Sequence, residues 1–128
     1  MNPVIKKLQY KDQAKILALN VPEQTKGLVH EFGCEADLKI KANYDFILFF
    51  AADMSEADRY AKHVVAALNH DGCLWFCYPK GSSKKYISDI NRNKAWKVFE
   101  PFDFRPVSQV SIDEDWSALR FRDKALVR

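Results

Sequence analysis

The stretch Tyr78-Pro79-Lys80-Gly81-Ser82-Ser83-Lys84-Lys85 gathers two serine hydroxyls, three ammonium groups and the open backbone of a glycine. Donors of this kind beside fixed positive charge suit a phosphate or a carboxylate, to which they make short charge-assisted hydrogen bonds. It is not a nucleoside-triphosphate loop: Gly-Ser-Ser-Lys-Lys lacks the earlier glycine and does not run directly into a helix. The charge is concentrated here. Residues 80–97 hold Lys80, Lys84, Lys85, Arg92, Lys94 and Lys97 against Asp89 alone, whereas the whole chain of 128 residues is only +3.

Ile112–Arg122 is a second candidate. An acidic turn, Asp113-Glu114-Asp115, feeds a strand that places Trp116, Arg120 and Arg122 on one face. Those side chains could stack as arginine on indole, or pair with the acidic turn. His30, His63 and His70 have no metal-ligand spacing, so no metal site is expected. Asp53 and Glu56 form a carboxylate pair or a helix-terminal charge, and Ser55 reads as a helix cap with Asp58 three residues on. No serine stands in a nucleophile-elbow context, so no catalytic residue is expected.

The elements that position these groups alternate strand and helix. Lys15–Asn20 reads as a short buried strand, followed by Pro22 and a short helix with Leu28, Val29 and Phe32 on one face, stopped at Gly33. Ala36–Ala42 alternates and sits too close to the next strand to be its parallel partner, so it is read as antiparallel or irregular. Asp45–Ala51 is almost continuously apolar, as a central strand covered on both faces would be. Ala57, Tyr60, Ala61, Val64, Val65 and Leu68 then mark one face of a helix, and a strand begins at Cys73. That order makes a parallel crossover unit. A short helix is expected within Asp89–Phe99, and Val107–Ile112 with Ser117–Arg122 reads as an antiparallel hairpin. The fold class is therefore α/β: a small Rossmann-like sheet with a parallel core and a C-terminal antiparallel hairpin. It is read as a single domain over residues 1–128, with 1–14 an N-terminal arm or lead-in.

With 48% hydrophobic and 29% charged residues the composition is that of an ordinary globular chain. The longest apolar run, Phe46–Ala52, cannot span a bilayer, and the start of the chain has no signal-peptide core, so a cytoplasmic protein with no membrane partner is expected. Three cysteines argue against a disulfide framework, and Cys73 and Cys77 read as small buried apolar residues. Most of the nine phenylalanines lie in buried patterns, so nucleic acid is not an expected partner.

The succession of DFILFFA, an amphipathic helix, LNHDGCLWFCYP, a short helix and a closing antiparallel pair resembles the second half of a class I methyltransferase. That resemblance implies an S-adenosylmethionine cofactor. The glycine-rich turn usual after the first strand of that family is replaced by ALNVPEQTKG, and no acidic residue is securely matched to the end of the second strand. Leu74-Trp75 with Tyr78-Pro79-Lys80, Ser88-Asp89-Ile90 and Trp116-Ser117-Ala118-Leu119-Arg120 further resemble a small, functionally uncharacterised bacterial family with a shortened domain of this kind.

In an open α/β sheet, ligands bind where loops leave the carboxyl ends of the strands. The expected function is therefore a non-catalytic domain that holds a small anionic or nucleotide-type ligand in a strand-end cleft lined by Asn20, Asp53, Tyr78, Lys80, Ser82, Ser83, Lys84 and Lys85. The alternatives are a divergent S-adenosylmethionine-binding methyltransferase, and a protein-interaction module or homodimer formed through Ser117–Arg122 as an edge strand.

Overall fold

The computed structural model describes residues 3–11, 13 and 15–127. Six strands form one mixed sheet: β1 (Lys15–Leu19), β2 (Glu35–Asp37), β3 (Tyr44–Phe50), β4 (Leu68–Pro79), β5 (Phe104–Ser111) and β6 (Trp116–Asp123). Their order across the sheet is β2-β1-β3-β4-β6-β5. The first four are parallel, and β6 and β5 close the sheet antiparallel, β4 with β6 and β6 with β5. This is the α/β architecture expected from the sequence.

Continuously apolar strands demand cover on both faces. On one face, α3 (Met54–Ala67) and α4 (Arg92–Lys97) cover Leu17, Ile47, Phe49, Phe76, Leu119 and Phe121. On the other, α1 (Pro3–Lys7) and α2 (Lys26–His30) cover Ile16, Phe46, Leu48, Phe50, Trp75 and Ala118. The alternation of these two sets along β3 and β4 follows from the two-residue period of a strand. The lead-in is packed in this layer: Ile5 and Leu8 are buried, and the Leu8 carbonyl accepts a 2.9 Å bond from the Trp75 indole. Residues 1, 2, 12 and 14 of that stretch lie outside the described ones. Cys73 and Cys77 are buried and free, and burial pushes both thiols up.

Several sequence expectations are corrected. Asp53, not Ser55, is the N-cap of α3; its carboxylate accepts from the Glu56 amide at 2.8 Å, and Glu56 reaches back to the Ala52 amide at 3.2 Å. The pair therefore does helix-terminal work, a near relative of a capping box. Of the segment Ala36–Ala42 only Ala36 and Asp37 are strand, as the end of β2, which pairs parallel to β1 and not antiparallel. Residues 38–43 are an irregular crossing that leads back to the start of β3. β4 begins at Leu68 rather than Cys73, through an irregular register in which Asp71 takes φ 53. Gly72 is needed there: a Cβ would lie 2.7 Å from Leu68 Cδ1 and 3.0 Å from the Asn69 carbonyl. Gly33, at φ 69, ends the α2 segment as expected.

β6 is not an edge strand, because it lies between β4 and β5. The proposed pairing surface at Ser117–Arg122 is thus already occupied. The edge on that side is β5, where Pro106 and a register shift between Pro106 and Ser108 interrupt the ladder, two devices that discourage strand addition. Among the described residues no helix is long and apolar enough to cross a membrane.

Candidate functional site

The loop from Lys80 to Asn91 lies across the carboxyl ends of the parallel strands and is bonded down at each side. Ser83 Oγ donates to Asp115 at 2.7 Å and accepts from the amides of Lys85 and Tyr86. The Lys80 amide bonds to the Asp115 carbonyl at 2.8 Å, and its ammonium bonds to Ser111 Oγ. Tyr86 donates to Gln24 Oε1 at 2.9 Å, and Gln24 in turn donates to Asp113 and Asp115. Further on, Ser88 Oγ donates to the Ala52 carbonyl and Asp89 accepts from the Met54 amide.

The acidic turn therefore anchors the loop through Ser83, Gln24 and the Lys80 amide. Hydrogen bonds from Ser83 and Gln24, with Lys85 and Lys80 nearby, hold the Asp115 carboxyl below the usual carboxylate range. Ser82, Lys84 and Lys85 are exposed, and the Lys85 ammonium lies 5.7 Å from the Tyr86 ring centroid. Tyr78 is buried against Phe76, with its hydroxyl accepting from Gln109, and burial raises it above the ordinary tyrosine range. Lys80, Ser88, Asp89 and Trp116 thus meet at this clamp, where they tie loop to sheet.

Of the eight expected site residues, Asn20 alone lines an open, mainly apolar groove of about 1140 Å³. It starts at Asn20 and Val21 beyond β1 and runs along α3 past Tyr60 and His63, with the 38–43 crossing as its other wall. Leu38 and Ile40 are 58% and 38% exposed in that wall. Asn20 takes φ 59, a left-handed turn that asparagine tolerates better than most residues, so the chain reverses after β1 without a glycine. Its Nδ2 is buried and has no partner. Asp53, by contrast, is held as a helix cap, Lys80 and Ser83 belong to the clamp, Tyr78 is buried in the sheet, and Ser82, Lys84 and Lys85 stand away from the cleft.

Asp37 does end β2, but its carboxylate is engaged inside the fold. It accepts from the Tyr44 hydroxyl at 2.6 Å and lies 3.8 Å from Lys15 Nζ. The wall residues Leu38, Ile40, Tyr60 and His63 were missed in the sequence. Their signal was present: Leu38 and Ile40 alternate with lysines in a segment that has no further strand to bury them.

Trp116 packs on Phe50 and Tyr86, with centroids at 5.7 and 5.1 Å, and not on an arginine. Arg122 pairs with Asp71 rather than with the acidic turn, through Nε at 2.8 Å and Nη2 at 3.0 Å. That hydrogen-bonded pair lowers the Asp71 carboxyl below its ordinary 3.8. A depressed folded-state pKa gives stability that is present above the unfolded value and lost as pH falls through the folded one. The wild type is therefore expected to lose stability below about pH 4 in part through this pair, and Arg122→Gln to flatten that limb. Urea midpoints from pH 2 to 7 check it; parallel curves for both proteins would refute it.

No protein-family model matches the chain, and no curated protein matches it. Solved structures do. A candidate type 11 methyltransferase from Sulfolobus solfataricus superposes with TM-score 0.60 at 12% identity, over 95% of this chain and 90% of its own. The N-methyltransferase NodS from Bradyrhizobium japonicum WM9 gives 0.53 at 13% identity, over 86% and 85%. The fibrillarin pre-rRNA processing protein of Methanococcus jannaschii gives 0.54 at 13%, over 89% and 68%. The fold is that of these Rossmann-like methyltransferases. The expectation of a non-catalytic anion-binding domain is corrected accordingly: its neighbours favour the methyltransferase alternative, and of the groups it relied on Ser83 and Lys80 are bonded to Asp115 and Ser111.

Proposed function

We propose that the chain is a divergent methyltransferase-type domain that binds an adenosyl cofactor in the cleft beginning at Asn20. The observation that carries this reading is the unpartnered Asn20 Nδ2 beside an apolar groove, at the carboxyl end of the first strand of a sheet built like those of methyltransferases. A buried amide donor without a partner costs about 1–3 kcal/mol, which a ligand acceptor would restore. The apolar walls from Leu38, Ile40 and Val29 suit a purine, and the left-handed Asn20 makes the turn that glycines would otherwise make. When bound, S-adenosylmethionine supplies an electrophilic methyl group on a sulfonium. The chain's part is to orient that group by fixing the adenosyl end, with proximity supplying much of the rate.

The same reading takes the protein as a single domain over residues 1–128, related to the small bacterial family of shortened domains. It acts in the cytoplasm, where free Cys34, Cys73 and Cys77 are in keeping with a reducing compartment.

Calorimetry with S-adenosylhomocysteine tests it. Wild type should bind, and Asn20→Gly, which keeps the left-handed backbone but removes the donor, should weaken binding about 2- to 10-fold, the worth of one neutral hydrogen bond. No heat of binding from wild type at millimolar ligand removes the proposal.

A further inference from the structure

A second cavity, of about 670 Å³, lies on the α1 face of the sheet, toward the amino ends of the parallel strands and away from Asn20. Arg120 and Arg122 of β6 line it, with Ser108 of β5 and Gln9 after α1. Two of its residues carry buried polar atoms with no partner: Arg120 Nε and Ser108 Oγ. Orphaned buried donors of this kind are rare in native proteins and call for a missing partner.

The charges do not balance here. Among the described residues, Asp71 is bonded to Arg122 through both carboxylate oxygens, and Arg120, near enough to act on Asp71 only through space, hydrogen-bonds to the neutral Gln9 amide oxygen alone. Two guanidiniums thus face one carboxylate. The strand geometry widens the site on one side: the register of β5 on β6 jumps from Pro106 opposite Phe121 to Ser108 opposite Arg120, leaving Val107 unpaired. Such bulges re-aim side chains and gather beside binding sites. Gln9, at φ 61, is turned so that its side chain meets Arg120.

We propose that this cavity binds a small carboxylate, held by the Arg120 guanidinium and the Ser108 hydroxyl. A monoanion matches the single uncompensated charge, whereas a phosphate dianion would need Arg122 to leave Asp71. The flat fork of arginine donors also fits a carboxylate in two-pronged fashion. This site is independent of the adenosyl reading, since it shares no residue with the Asn20 cleft.

The test is an NMR titration of arginine Nε–H signals with sodium acetate, against sodium chloride at equal ionic strength. Acetate should shift the Arg120 signal, assigned by its loss in Arg120→Lys, along a saturating curve that chloride does not reproduce. Ser108→Ala, which leaves both arginines in place, should weaken binding by about 10- to 100-fold, as for one hydrogen bond to a charged group. The proposal is overturned by an unsaturated or chloride-matched shift, by equal affinity in Ser108→Ala, or by phosphate binding more tightly than acetate.

Discussion

Phe49→Ala should destabilise the fold by about 3–5 kcal/mol, the usual cost of removing a buried phenyl ring. Phe49 is fully buried at the centre of the α3 face, with ring centroids 5.5 Å from Phe76, 6.2 Å from Tyr60 and 6.3 Å from Phe99. These neighbours come from β4, α3 and the segment after α4, so one truncation opens a void shared by three elements. Collapse into it is resisted because Phe76 and Phe99 are themselves held by Tyr78 and Phe121. A domain of this size has about 5–15 kcal/mol of stability in total, so the variant should sit near its unfolding threshold. Urea denaturation gives the measure, and a loss under 1 kcal/mol would mean that the aromatic cluster is not packed as described.

Asp37→Ala should cost about 2–3 kcal/mol, more than its single hydrogen bond would suggest. The carboxylate is buried, accepts from Tyr44 and faces Lys15, so removal leaves the buried phenol without its acceptor and Lys15 with Glu35 alone. Tyr44→Phe, which removes only the hydroxyl, should cost about 1 kcal/mol, and the double variant should cost less than the sum. Desolvation, then the bond to Asp37, raises the Tyr44 phenol above its ordinary 10.0. A raised folded-state value means stability is full below the unfolded pKa and falls as pH rises through the folded one. Alkaline unfolding should therefore begin at lower pH in wild type than in Tyr44→Phe relative to each protein's neutral stability. Additive costs in the double-variant cycle would refute the coupling.

The reach of the sequence differed between fold and site for physical reasons. The Phe46–Phe50 run and the Ala57, Ala61, Val64 face announce themselves because burial imposes a local period. Of the two readings of Ala36–Ala42, the irregular one holds for residues 38–43, and the antiparallel one fails because the short paired part runs parallel to β1, whose pairing reaches only to Asp37. The Ser82–Lys85 loop looked like an anion site because Asp115, the acid that takes up the Ser83 hydroxyl, is 32 residues further along the chain. The cleft itself was invisible. It exists because a six-residue crossing replaces a fuller layer beside α3, and only assembly of the sheet brings Leu38, Ile40 and Tyr60 around Asn20.

The most direct test is a backbone amide NMR titration of the 15N-labelled protein with S-adenosylhomocysteine. The account expects saturable shifts confined to Asn20, Val21, Val29, His30 and residues 38–43, with the Lys80–Lys85 loop unmoved. No saturable shift, or shifts centred on Ser82–Lys85, would contradict it.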